Sequence, residues 1–329
     1  MSKTILVTGG AGYIGSHICK ALSKKGYRPV VYDDLSHGNL WSVRWGPFVK
    51  GSIHDHASLT TTIEHYEPFA VIHLAGSIHA REAIIKPSQF YYNNTEGSRI
   101  LLQALIDNGI GFCVFSSTAA VYGNPKYLPI DEDHPKAPLN AYGKSKWAVE
   151  TMLEDFEHAY GLQFASLRYF NACGADPEGD LGESHPQETH LIPLAIAAAM
   201  EKRGPLSLFG NHHPTPDGTA IRDYVHVTDL AEAHILALEH LLEEKGKLCL
   251  NLGTGQGYSV LEVLRSIQEI SGRDVPYQIQ PSFTHDSSIL VANATKALTL
   301  LGWTPRYSDL STIIKTAWQW YLSQEEAVV

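Results

Sequence analysis

Cysteine is scarce. The 329-residue chain has four, Cys19, Cys113, Cys173 and Cys249. They are far apart and form no CxxC pair, so neither a disulfide framework nor a zinc–thiolate cluster organises the fold. Long apolar runs are also missing. The longest, Leu191 to Met200, is too short for the roughly 20 residues that span a bilayer. Positive charge is thin, with 25 Lys and Arg against 35 Asp and Glu and a formal net charge of −10. Without a basic patch, general nucleic-acid or anionic-membrane binding is excluded, and an anionic ligand must be met by a few placed cations. The 17 histidines are scattered, with no HxxxH pair in a metalloprotease context, and no metal is expected. The apolar start at Ile5 runs straight into glycines, unlike a signal peptide, so the expectation is a cytoplasmic protein. There is no repeat and no low-complexity segment.

What is present begins with Thr4-Ile5-Leu6-Val7-Thr8-Gly9-Gly10-Ala11-Gly12-Tyr13-Ile14-Gly15. A β-branched run breaks into glycines and resumes with helical periodicity through Ile18, Ala21 and Leu22. That is strand, tight turn, helix. In the spacing Gly9-x-x-Gly12-x-x-Gly15, the first glycine allows the turn and the second lets a pyrophosphate approach the backbone. The third lets helix and strand pack closely, and the helix N-terminus offers free amides to phosphates. The triplet alone fits an ordinary strand–helix turn equally well. The next strand, Arg28 to Tyr32, ends in Asp33 and Asp34. An acid at that position binds both hydroxyls of an adenosine ribose and repels a 2′-phosphate, which points to NAD rather than NADP; a helix or turn cap is the plain alternative for Asp33.

Further strands are expected at Phe48 to Ile53, Ala70 to Gly76, Phe112 to Thr118 and Phe164 to Phe170, separated by helical patterns. One long helix is expected from Pro87 to about Asn108. Alternating strands and helices imply an α/β protein with a Rossmann-type, doubly wound parallel sheet. After Asn171 the pattern turns irregular through Gly174, Pro177, Gly179, Gly182 and Pro186. The expected division is a dinucleotide-binding domain over 1–179 and a smaller α/β, mainly substrate-binding lobe over 180–329. That lobe has helices near Ile192 to Lys202, Thr228 to Leu242, Ser259 to Ser271 and Ser308 to Leu322.

Tyr142 and Lys146 are four residues apart, which puts both on one helix face. An ammonium near a phenol stabilises the phenolate and fits the tyrosine for general acid/base work. Thr118, ending a strand beside this helix, can orient the same substrate oxygen. An amphipathic helix with an incidental Tyr and Lys is the plain alternative.

The stretches TGGAGYIG, SSTAAVYG, YGKSK, LRYFNACGA and GTAIRDYVHVTDLA together resemble the extended short-chain dehydrogenase/reductases. The last two narrow the resemblance to the UDP-glucose 4-epimerase group, over almost the whole chain. The resemblance implies NAD held by the turn (Gly9, Gly12, Tyr13, Ile14, Gly15) and by Asp33, Asp34 and Ile53. It adds Leu74, Ala75, Gly76, Asn94, Ser116 and Phe170, together with Tyr142 and Lys146. Tyr142 is then the base, Lys146 its tuner and Thr118 its hydroxyl partner. The implied nucleotide-sugar contacts are Thr118, Asn171, His190, Leu191, Phe209, Arg222, Asp286 and Leu290. A homodimer through the helices after Pro87 and Asn140 is implied as well.

Four positions depart from the group's pattern. Ser52 replaces an acid near adenine, Ile78 a lysine on the cofactor side, His190 an asparagine, and Phe283 an arginine that grips the diphosphate. His190 and His285 are candidates to replace the missing cation when protonated. The implied reaction is 4-epimerisation of UDP-glucose and UDP-galactose through a transient 4-keto sugar. Leu290, where a tyrosine would narrow the pocket, extends this to the N-acetylhexosamine pair. A nucleotide-sugar 4,6-dehydratase is the rival enzyme, but Ala119 and Ala120 stand where that chemistry needs an Asp–Glu pair. A non-catalytic NAD-binding sensor is the rival of another class, and it has no use for a tuned phenol.

Overall fold

In the computed structural model, residues 3–244, 246–281 and 287–326 are described. Six strands come from the first half of the chain: β1 (Thr4–Thr8), β2 (Arg28–Asp33), β3 (Phe48–Lys50), β4 (Ala70–His73), β5 (Phe112–Thr118) and β6 (Gln163–Tyr169). They join Lys247–Leu252 in one seven-stranded sheet, running from that strand through β6, β5, β4, β1 and β2 to β3. Every pairing is parallel. The strands are buried on both faces and therefore read as continuous apolar runs, not as alternation. The chain reverses its winding between β1 and β4, and ligands of such sheets bind in the crevice beyond the carboxyl ends of the strands at that point.

One face of the sheet is covered by α1 (Tyr13–Lys24) and by Val227–Glu244, around a core that includes Ile18, Leu22, Leu230 and Leu238. The other carries α2 (His56–Tyr66), Gly97–Asp107 and Ala141–Tyr160, around Leu59, Leu101, Leu105 and Leu153. The seventh strand and its covering helix thus come from beyond residue 179, and the chain crosses back to the large sheet before it ends.

The rest of the second half makes a smaller body. Ile221–His226 pairs antiparallel with Gly257–Ser259 and parallel with Asn171–Cys173 and Ile289–Leu290. Leu191–Ala199, Val260–Ser271 and Leu310–Glu326 pack around a separate core that includes Ile196, Val263 and Ile313. Ser259 precedes its helix as a cap, in a reciprocal capping box with Glu262. The last helix begins at Leu310 and not at Ser308.

The long helix expected after Pro87 is interrupted. Pro87–Phe90 and Gly97–Asp107 are α-helical, but Tyr91–Glu96 is a π-helical turn. Such turns cluster at functional sites because the extra residue redirects side chains. Here it brings Asn94 over the end of β4.

The glycine turn behaves as its spacing predicts. Gly9 has φ +72°, and a Cβ there would lie 2.6 Å from the Ala75 nitrogen. A Cβ on Gly15 would lie 2.2 Å from the Gly9 carbonyl oxygen, so α1 seats on β1 only with a hydrogen at that position. Gly15→Ala should lower stability by about 1–3 kcal/mol, as overpacking does, and should reduce the dinucleotide retained on purification. Calorimetry and quantification of the nucleotide released on denaturation check both. An unchanged transition with full nucleotide would contradict the contact.

Candidate active site

A cavity of about 1210 Å³ opens at the carboxyl ends of β1, β4 and β5 and runs on to the smaller body. Pockets for one small ligand hold about 300–1,000 Å³, so this one has room for two ligands end to end.

Gly9, Gly12, Tyr13, Ile14 and Gly15 line the first end, with Asp33, Asp34, Ile53, Leu74, Ala75 and Gly76. A Cβ on Gly12 would meet only the Gly9 oxygen, at 3.3 Å. Its other side faces the cavity, as close approach of a phosphate requires. At the end of β2 the Asp33 carboxylate accepts from the Ala11 amide at 3.0 Å and the Leu35 amide at 2.9 Å. Burial raises its pKa, and these bonds pull it back. The donor set therefore fits a dinucleotide whose ribose carries free hydroxyls. Ser52 is not on the cavity wall and uses its carbonyl to accept from the Tyr32 hydroxyl at 3.0 Å.

Asn94 bonds the main chain of the loop after β4. It is buried and absent from the cavity lining. Its side-chain oxygen accepts from the Ser77 amide at 2.6 Å, and its NH₂ donates to the Ser77 carbonyl at 3.1 Å and to Ser145 Oγ at 3.0 Å. It clamps the loop after β4 to the helix Ala141–Tyr160.

Midway along the cavity, Asn140 caps that helix through its side chain. Tyr142 and Lys146 then project from the first two turns, and Thr118 ends β5 beside them. Lys146 is buried, donates to the Ser116 carbonyl at 3.0 Å and lies 4.9 Å from the Phe115 ring centroid. Burial lowers its pKa to about 8. The Tyr142 pKa moves opposite to expectation. Burial raises it, and a hydrogen bond with Thr118 works against the rise. The Lys146 ammonium is engaged with a main-chain carbonyl and does not offset desolvation of the phenolate. Ser116 faces the same region, and its hydroxyl is hydrogen-bonded to Tyr169. Ala119 and Ala120 follow Thr118 in a short turn and line the cavity with methyl groups.

The far end is lined by Phe170, Asn171, His190, Leu191, Phe209, Arg222 and Leu290. Leu290 is paired in register with Arg222 and packs on the cluster containing Phe170, Val121 and Tyr122. Phe283, His285 and Asp286 lie outside the described residues. Arg81 and Arg203 also line the cavity, and the Arg81 guanidinium lies 4.1 Å from the Phe209 ring centroid. Sequence reasoning passed over both because they stand outside any motif, and only the fold turns them inward. His190 does not present a lone cation. It is bonded to the buried Glu183 carboxylate, with His185 at 3.3 Å from the same oxygen. Burial pushes the His185 imidazole down, but Glu183 and Glu188 outweigh it and raise the pKa to about 10.

No helix among the described residues is long and apolar enough to cross a membrane.

Comparison with known proteins agrees with this geometry. Residues 5–253 match the NAD dependent epimerase/dehydratase family. A UDP-glucose 4-epimerase of Rhizobium leguminosarum bv. trifolii is 48% identical over 324 residues, covering 98% of this chain and 99% of that protein. Among solved structures, the UDP-glucose 4-epimerase of Brucella ovis in complex with NAD superposes with a TM-score of 0.95 at 49% identity, over 97% of this chain and 98% of that one. The UDP-glucose-4-epimerase of Stenotrophomonas maltophila, with bound NAD and formylated UDP-arabinopyranose, gives 0.95 at 36% identity over 99% of each chain. The chain belongs to the NAD dependent epimerase/dehydratase family and, within it, to the UDP-glucose 4-epimerase group.

Proposed function

We propose that this protein interconverts UDP-glucose and UDP-galactose through a 4-keto sugar. The observation that carries this is the meeting of Tyr142, Thr118 and buried Lys146 at the join of the two cavity ends, followed by Ala119 and Ala120. When bound at the glycine turn, NAD supplies a reversible hydride acceptor. Tyr142 takes the proton from the sugar 4-hydroxyl and returns it to the 4-oxygen. Thr118 orients that oxygen. Lys146 is held in place by its bond to the Ser116 carbonyl and adds positive charge to this part of the cavity. The two alanines transfer no proton, so water is not eliminated and the keto sugar is reduced again. Arg81, Arg203 and Arg222 supply the local cations that a diphosphate needs in a chain of net charge −10. Incubation with each UDP-hexose, with products followed by NMR, tests the reading. A 4-keto-6-deoxy product, or cofactor binding with no turnover of either sugar, would overturn it.

The bound cofactor is expected to be NAD, because Asp33 places a carboxylate where NADP carries its extra phosphate. Mass spectrometry of the nucleotide released by denaturation should find NAD as the main species, and a majority of NADP would reject this role for Asp33.

Leu290 sets the width of the sugar end. It lacks the ring and hydroxyl of a tyrosine, so the pocket accepts an acetamido group at C2. UDP-N-acetylglucosamine should therefore react alongside UDP-glucose, and Leu290→Tyr should lose the N-acetylated substrate selectively. A steric block of this kind outweighs the roughly 10–200-fold that one methylene gives in a hydrophobic pocket. Comparison of kcat/KM for both sugars in both proteins decides. A wild type confined to UDP-glucose would show that Leu290 only packs against Phe170.

The helices Gly97–Asp107 and Ala141–Tyr160 are the faces for a homodimer. Half-exposed Trp147 and exposed Tyr92 stand on and beside them, and light scattering reads the oligomeric state directly. The enzyme acts in the cytoplasm on this reading.

A further inference from the structure

His73 closes β4, whose other residues are Ala70, Val71 and Ile72. It is fully buried, and a buried polar group persists where its hydrogen bonds are met. Both ring nitrogens are bonded: Nδ1 with Thr8 Oγ1 at 2.7 Å and Nε2 with Ser98 Oγ at 2.8 Å. His17 and His234 are as deeply buried, yet each leaves Nε2 without a partner among the described residues. The partners fix where the protons sit. The Asn94 carbonyl only accepts, so the Ser98 hydroxyl donates to it. Ser98 has no second proton and accepts from His73 Nε2–H. In a neutral ring Nδ1 is then bare and accepts from the Thr8 hydroxyl. Burial and Lys146 keep the ring neutral, with a pKa lowered to about 3.

The line of bonds continues to the chemistry. Asn94 Nδ2 donates to Ser145 Oγ at 3.0 Å, and Ser145 Oγ donates to the Tyr142 carbonyl at 2.9 Å. Each hydroxyl between His73 and Tyr142 accepts once and donates once, so the direction of every bond is set by the next. A Cβ on Gly76 would lie 3.0 Å from Asn94 Oδ1 and 3.5 Å from Lys146 Nζ, so the Asn94 amide stands close beside the lysine. The His73 ring also lies 5.6 Å from the Phe115 ring, the same ring that Lys146 overlies. We propose that His73 is a positioning residue for the reaction: it ties the end of β1 to the π-helical turn and, through Ser98, Asn94 and Ser145, fixes the helix that presents Tyr142. His73 is not on the cavity wall, so it acts only through these partners. This inference rests on the epimerase reading above.

The test compares steady-state kinetics of the holoenzyme and its variants with UDP-galactose, well below each protein's thermal transition. His73→Phe keeps a ring but removes both bonds. It should lower kcat by about 10–100-fold, since a misplacement of about 1 Å costs up to about 100-fold. KM and the amount of bound nucleotide should stay near wild type. Ser98→Ala cuts the same line one bond further on and should cost as much. Combined with His73→Phe it should add nothing, because the two changes break one path. His73→Gln returns an amide donor toward Ser98 and should restore most of the lost kcat, whereas a merely structural role gives losses that follow stability and no such rescue. An active wild type whose His73→Phe or Ser98→Ala variant keeps full kcat, additive losses in the double variant, or a glutamine variant no better than phenylalanine would overturn the inference and leave the epimerase reading intact. A wild type that turns over neither UDP-hexose would overturn that reading and this inference with it. If His73→Phe fails to fold, Ser98→Ala and His73→Gln still decide.

Discussion

Tyr142→Phe should lower kcat for UDP-galactose by about two to four powers of ten, the usual share of a positioned acid/base. That is about 3–5 kcal/mol of transition-state stabilisation. The phenol is half-buried and faces Thr118, the residue that ends β5. Thr118 accepts from the Ala120 amide at 3.1 Å, and Lys146 donates to the Ser116 carbonyl. The variant should retain bound nucleotide, because the glycine turn and Asp33 are untouched. KM should change little, since the nucleotide is held at the far end. The pH profile supplies the sharper signature. An acid whose pKa burial has raised loses its proton only at higher pH, so wild-type kcat/KM should climb as pH rises above neutrality. The residual activity of the phenylalanine variant should lack that climb. A loss under tenfold, or the same climb in the variant, would assign the proton transfer elsewhere.

How much of this could be read beforehand depends on how local each signal is. The glycine turn, the acid ending β2 and the pair four residues apart on one helix are set by neighbours in sequence. The structure brings all of them to one crevice. The parallel sheet was legible for the same reason, since buried strands between helices admit few arrangements. Asn94 has partners 17 and 51 residues away, so its contacts could not be read from its neighbours in sequence. A π-helical turn delivers it, and that turn has no sequence signature. The Tyr142 pKa was misjudged because charge proximity can be read from spacing, whereas desolvation is set by everything packed around the group. The partners of His190 were invisible for a related reason. Glu183 and Glu188 lie in an irregular stretch with no periodicity to say which way a side chain turns. The strand Lys247–Leu252 joins β6 across some 80 residues of chain, so no local pattern announces it as part of the first sheet.

Glu150→Gln should destabilise the protein by about 3–5 kcal/mol, the effect of stranding one partner of a buried ion pair. Glu150 lies on the helix that carries Tyr142 and Lys146, and Arg168 lies on β6. Their side chains are 4% and 3% exposed and meet at 2.6 Å, with a second bond from Arg168 Nε at 2.8 Å. The fork is extended at both ends. Ser117 of β5 donates to Glu150 at 2.6 Å. Arg168 also donates to the Tyr122 hydroxyl at 2.9 Å, which donates onward to Asn251 at 2.6 Å. One network thus ties the catalytic helix to β5, to β6 and to the strand from the second half of the chain. Glutamine keeps the shape but removes the charge, leaving the guanidinium buried without a counter-ion. With an unfolding entropy of about 2.1 cal/mol/K per residue, the transition should fall by about 4–7 °C. Glu150→Leu combined with Arg168→Met should cost less than the sum of its single changes, because removing both charges leaves neither stranded. Activity should fall in the single variants and recover in part in the double. The loss comes from a loosened helix, since neither residue lines the cavity. Chemical unfolding of the four proteins closes the cycle. Additive effects, or a Glu150→Gln loss below about 1 kcal/mol, would show that the helix is held by its apolar face alone.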